Sequence, residues 1–157
     1  MRKLIVVASV AAGLLTGCDQ GNTTGSEKAA KALVDKSVSN MVPVQGGEFL
    51  MGDFGPLVGE KLPFSIQQDD KTLHKVILSD FSISKYKVTN DDFNVYLRVT
   101  DKKNPPVDIL AKRHPSLLKG DYPAGVIWQQ AKDYCQWLGK KSGKKIDLPT
   151  EAQWEFA

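Results

Sequence analysis

The spacing of apolar and polar positions changes period several times along the chain, and each change predicts an element. Leu4 to Leu15 form a short apolar run behind Arg2 and Lys3. A helix that crosses a membrane needs about 20 apolar residues, so this run is too short to span one. Residues 19–40 are small and polar, which predicts a flexible tether. Within them only "EKAAKALVDK" has a helical pattern, with little apolar surface. From Met41, "MVPVQGGEFLMG" sets two apolar stretches around Gly46-Gly47, the pattern of a hairpin with a glycine turn. "HKVILSDFSISKYKVT" predicts one or two strands, with Phe81, Ile83, Lys85 and Lys87 on one face and Ser82, Ser84, Tyr86 and Val88 on the other.

The period then switches to that of a helix. In "TNDDFNVYLRVT", Thr89 or Asn90 can cap, Asp91 and Asp92 suit a helix start, and Phe93, Tyr96 and Leu97 share one face. Residues 101–123 hold Asn104-Pro105-Pro106, His114-Pro115 and Gly120-Asp121, an irregular connection with a helical turn near Ile109-Leu110. "IWQQAKDYCQWLGKKSG" is the clearest helix. Ala131, Tyr134, Cys135 and Leu138 form its apolar stripe, flanked by Trp128 and Trp137. Lys140 and Lys141 sit at its end and Gly143 stops it. The closing stretch "DLPTEAQWEFA" predicts one more helix, with Pro149 before it and Thr150 and Gln153 as a capping box.

The length bounds one domain or part of one, and the composition, 41% hydrophobic and 25% charged, is that of an ordinary globular protein. The formal charge of +3 is too small an excess of base to suggest nucleic acid. Residues 1–17 read as a secretory signal peptide. Its end, Leu15-Thr16-Gly17-Cys18, resembles the lipobox of bacterial lipoproteins. This predicts lipidation of Cys18 and a protein anchored to the cell envelope, facing the periplasm. Asp19 after the cysteine resembles a signal for retention at the inner membrane. Once Arg2 and Lys3 are removed from the 21 basic side chains, the rest exceed the 18 acids by only one. One thiol then remains, Cys135, which excludes an internal disulfide framework.

At "YCQWLGKKSGKKIDLPTEAQWEFA" the chain resembles the sulfatase-modifying factor family, the formylglycine-generating enzymes and their relatives. Trp128, Ala131, Tyr134, Cys135, Trp137 and Leu138 fit one family motif. Gly143 and Lys144 fit a second, and Leu148, Pro149, Thr150, Glu151, Ala152, Trp154, Glu155 and Ala157 fit a third. "VPVQGGEFLMGD" and "FSISKYKVTNDDFNVYL" resemble the family's opening segments. The resemblance covers residues 41–157. It implies an irregular α+β fold related to C-type lectins, in truncated form, with short strands and two main helices. Four positions depart from the pattern: Asp147 stands for a usual Arg, Gln153 and Lys87 for usual Glu, and Ile127 for a common capping Ser. The reversal at Asp147 suggests an electrostatic contact that is lost or rewired.

In that family the calcium sites, the copper-binding catalytic cysteine pair and the iron-binding histidines of the sulfoxide-synthase relatives come from the later half of the domain. The resemblance therefore implies no copper, calcium or catalytic residue in this chain. The expected domain is a shortened one, 41–157, behind a lipidated tether, 18–40. The remaining candidates have plain structural readings. Cys135 reads as a buried helix residue, His74 and His114 as turn or surface residues, and Asp69-Asp70 as a solvated loop pair. Glu151 and Glu155 read as acids at a helix start, and Lys140, Lys141, Lys144 and Lys145 as a solvated helix end that could touch anionic lipid. Trp154 and Phe156 are the candidate interface, because apolar residues without cover mark binding surfaces. The expected function leans away from catalysis. It is a protein-binding lipoprotein, in particular an immunity or inhibitor protein. The alternatives are part of a formylglycine-generating or related metal-dependent oxidase, and a remnant without function.

Overall fold

A computed structural model describes residues 20–67, 71–103 and 112–157. The signal peptide, Cys18, Asp69, Asp70, the Asn104-Pro105-Pro106 stretch and the turn expected at Ile109-Leu110 lie outside the described residues. Helix α1 runs over Gln20–Ser39, α2 over Asn90–Val99, α3 over Trp128–Ser142 and α4 over Glu151–Phe156. The strands are β1 (Met41–Val44), β2 (Gly47–Met51), β3 (His74–Leu78) and β4 (Phe81–Ser84). The architecture is a mixed α+β one, in which short antiparallel strands lie beside a helical layer.

The helical layer holds the core. Thr89 caps α2 by accepting the Asp92 N–H at 3.2 Å, and the expected face of Phe93, Tyr96 and Leu97 is buried. On α3, Tyr134 and Leu138 are buried, and Trp137 packs at the edge of the core. Gly143 ends α3 with φ of 68°, a left-handed conformation that glycine adopts without strain. The aromatic rings interlock. Tyr96 meets Tyr134 edge-on at 5.2 Å between centroids, Trp137 at 5.3 Å and Phe93 at 5.4 Å. Such geometry adds about 0.5–1.5 kcal/mol per pair beyond the area buried.

The tether expected at 18–40 is overturned for its described part. Residues 20–39 are one helix, and Ala30, Leu33 and Val34 on it are buried. Leu33 and Val34 belong to the same core cluster as Phe93, Tyr96 and Tyr134, and Val38 packs against it. The Gly, Thr and Ser content predicts flexibility. Tertiary packing of one apolar stripe overrides that propensity. Among the described residues the long helices are therefore three rather than two.

The strands also pair otherwise than expected. β1 and β2 do not form a hairpin with each other: β1 pairs with β4 and β2 with β3. The register runs without a slip from Met41 opposite Ser84 to Met51 opposite His74. The four strands are thus one long antiparallel ribbon, broken once where Gln45-Gly46 faces Ser79-Asp80. At the break the Gly46 N–H donates to Asp80 Oδ1 at 2.8 Å. A Cβ on Gly46 would fall 2.2 Å from the Leu78 carbonyl oxygen, so the close approach requires glycine. The break also shifts the alternation of the strands. Phe49 of β2 and Phe81 of β4 have opposite phase in a continuous pleat, yet both rings contact Phe156 of α4, at 5.1 and 6.4 Å. Within β4 the expected alternation holds, with Phe81 and Ile83 half-buried and Ser82 and Ser84 exposed.

Candidate functional site

The loop that joins the two arms of the ribbon runs from Gly52 to Leu73, and its start is organised by one carboxylate. Asp53 is buried. Its Oδ1 accepts from the N–H groups of Gly55 at 2.9 Å and Phe64 at 3.0 Å, and its Oδ2 from Ser65 at 3.0 Å. These donors, Ser65 first and then Phe64, hold its carboxyl below the ordinary range, with Gly55 and the charge of Lys71 adding. The clasp draws residues 53–65 into a closed loop that points apolar side chains outward. Leu57, Leu62, Phe64 and Ile66 are all exposed, Phe64 by 74% and Ile66 by 95%.

Beside this loop lies an open cleft of about 390 Å³, lined by Asp53 and Phe64 from the loop, His74 from β3, and Glu151 and Glu155 from α4. Glu155 ties the two together, since its Oε1 accepts from the Gly52 N–H at 3.0 Å. Thr150 sets the position of α4. Its hydroxyl accepts from Gln153 N at 3.1 Å, while Gln153 Oε1 accepts from Thr150 N at 2.9 Å, the expected capping box. Sequence spacing gave His74, Glu151 and Glu155 separate structural readings, and Asp53 no role. Only the ribbon pairing, which carries Met51 opposite His74, brings these residues to one place. A single Asp after Met51-Gly52, without a partner at motif spacing, gives no signal of this.

The other candidates divide between core and surface. Tyr134 is buried, which pushes its hydroxyl up to about 12, with Ser37 as a hydrogen-bonding neighbour. Burial likewise pushes the Cys135 thiol up, with Asp147 adding and Lys132 opposing, so it is held as the thiol rather than the nucleophilic thiolate. Asp147, the position of the expected charge reversal, has two partners. Its Oδ2 accepts from Lys132 Nζ at 2.6 Å and its Oδ1 from the Leu148 N–H at 2.7 Å. Leu148 is half-buried, while Pro149, Thr150 and Glu151 are exposed. Trp154 and Phe156 part company: Trp154 is 59% exposed, whereas Phe156 is half-buried against Phe49 and Phe81. Phe156 is therefore a packing residue and Trp154 alone lies open. Among the described residues no three His, Cys, Asp or Glu side chains are grouped as a cation needs, and no helix is long and apolar enough to cross a membrane.

An irregular α+β domain with a paired ribbon, an aromatic helical core and a capped short helix on the ribbon defines the class. The chain belongs to the family of the sulfatase-modifying factor enzyme 1-like domain, whose sequence profile matches residues 26–157. That match begins inside α1. Among curated proteins, the formylglycine-generating enzyme of Streptomyces coelicolor is 28% identical over 161 residues, covering 78% of this chain and 48% of that protein. The inactive C-alpha-formylglycine-generating enzyme 2 of Bos taurus is 27% identical over 158 residues, covering 75% and 48%. The serine/threonine-protein kinase pkn1 of Chlamydia pneumoniae is 29% identical over 134 residues, covering 76% of this chain but only 19% of that protein. The chain thus spans about half the length of the formylglycine-generating relatives and a fifth of the kinase.

Proposed function

We propose that this chain acts as a protein-recognition module of the formylglycine-generating family, held to the bacterial envelope by a lipid on Cys18 and facing the periplasm. Neutralising an incoming enzyme or toxin, as an immunity protein does, is the specific form of this reading. The observation that carries it is the apolar loop closed by Asp53, with Leu57, Leu62, Phe64 and Ile66 outward. Exposed apolar groups gathered on a fixed loop suit the buried centre of a protein interface. The state of Cys135 supports a structural rather than a catalytic thiol. A relative whose name carries the word inactive accords with use of the domain without turnover.

The name of the Streptomyces coelicolor relative favours a second reading, in which the chain forms part of an oxidase that converts a substrate cysteine to formylglycine. One experiment separates the two. The protein is purified from its native membrane with whatever binds it, and again with Phe64→Ser and Ile66→Ser. A stoichiometric partner lost in the double variant is the expected result. No partner, together with formylglycine formed in a cysteine peptide by the copper-reconstituted preparation, replaces this reading with the oxidase.

A further inference from the structure

The ends of three helices meet on one side of the helical layer. α1 and α2 run antiparallel, since Lys36 near the end of α1 pairs at 2.7 Å with Asp92 in the first turn of α2. α3 also runs against α1: Tyr134 neighbours Ser37, while Lys141 and Lys144 share a groove of about 710 Å³ with Ser26, Glu27 and Lys31. The last turn of α3 therefore lies along the groove that α1 lines from Ser26 to Ser39.

That end carries an unbalanced charge. Lys140, Lys141, Lys144 and Lys145 are all exposed. Five lysines elsewhere hold a carboxylate partner: Lys31 with Asp35, Lys36 with Asp92, Lys75 with Glu48, Lys102 with Asp133 and Lys132 with Asp147. None of the four at the end of α3 has a carboxylate partner among the described residues. The dipole of α3 supplies about half a unit of negative charge at its C-terminus, too little to account for four cations.

Position relative to Cys18 gives this charge a use. A flexible tether of about 20 residues would hold the domain some 25 Å away on average. Instead α1 begins at Gln20, two residues after Cys18. Ser26, beside the lysines, is about 9 Å along the helix from Gln20. That is close to the Debye length of roughly 8 Å at physiological salt, within which surface charges act.

The geometry points to a membrane-facing surface, in which Lys140, Lys141, Lys144 and Lys145 rest on anionic lipid head groups beside the anchored end of α1. This rests on the lipoprotein reading above. Each lysine close to an anionic leaflet strengthens binding about fivefold. The test uses the full chain recovered from bacterial membranes, with intact mass reporting acylation of Cys18. It is placed on vesicles of phosphatidylcholine alone or mixed with phosphatidylglycerol, and exposed amines are labelled with an impermeant reagent, with Lys75 and Lys85 as references. Labelling of the four lysines is expected to fall several-fold on the anionic vesicles only, and to recover at high salt. Equal labelling on both lipids overturns the inference. A mass without acyl chains refutes the lipoprotein reading instead. The same chain is then sedimented with both vesicle types. Anionic binding that drops about 100-fold or more in the K140Q/K141Q/K144Q/K145Q variant, with an unchanged melting temperature, upholds the surface; no preference for anionic vesicles overturns it.

Discussion

The helical layer and the ribbon use their apolar residues in opposite ways. In the layer, Leu33, Phe93, Tyr96, Tyr134 and Leu138 turn inward from three helices and bury one another. In the ribbon and its loop, only one face is covered. Phe49 and Phe81 meet Phe156, while Leu50 and Ile77 on the other face and Phe64 and Ile66 on the loop stand in solvent. A buried cluster is held by the hydrophobic effect and close packing. The ribbon is held by backbone pairing and by a few polar ties: Asp80 to Gly46, Asp53 to its three amides, and Glu155 to Gly52. The lesson is a division of labour in which one half buries its apolar side chains and the other leaves them in solvent, the surface that the proposed recognition role would use.

The sharpest break of this comparison is a cavity in the layer. Phe93→Ala is expected to cost about 3–5 kcal/mol, and Leu33→Ala, on the helix that composition assigns to a tether, about 2–5 kcal/mol. Denaturant unfolding measures both, and a Leu33→Ala chain as stable as the parent would detach α1 from the core. Next comes the ribbon break. Gly46→Ala drives a Cβ against backbone that cannot yield freely, so we expect a loss of about 2 kcal/mol or more. Hydrogen exchange should be faster at β2 and β3, with the helical layer unchanged. Smaller still, Thr150→Ala removes the cap of α4 and should cost about 1 kcal/mol, read as a lower melting temperature and freer exchange at Trp154.

The smallest effect is the one that acid removes. Asp53 has its folded pKa lowered, so the stability it confers is present above the ordinary carboxylate value of 3.8 and is lost as pH falls through the folded value. Asp53→Asn is expected to melt below the parent at neutral pH, with the gap closing well below pH 3.8. A gap that stays constant down through acid would mean that the loss does not come from the charge of the carboxylate.

Much of the layer was legible in sequence because its signals are local. Thr89 with Asp91 and Asp92, the Phe93-Tyr96-Leu97 face, the Tyr134-Leu138 stripe and the Gly143 stop each follow from one helix considered alone. The capping box at Thr150 and Gln153 is of the same kind. The ribbon was not legible, because "MVPVQGGEFLMG" carries the same glycine signal whether it turns back on itself or kinks within a long arm. The partner strand, some 30 residues away, decides between these. The cleft residues Asp53, His74, Glu151 and Glu155 escaped for the same reason.

The sequence by itself determined the family and the caps and apolar faces of α2, α3 and α4, since these depend on periodicity, caps and contiguous motifs. Tertiary structure alone decided that residues 20–39 are a packed helix rather than a tether. Their weak propensity is outweighed once Ala30, Leu33 and Val34 find the aromatic core. It also decided that Phe156 is covered while Trp154 is not, because which side of a short helix meets the ribbon is set by Phe49 and Phe81 across the fold.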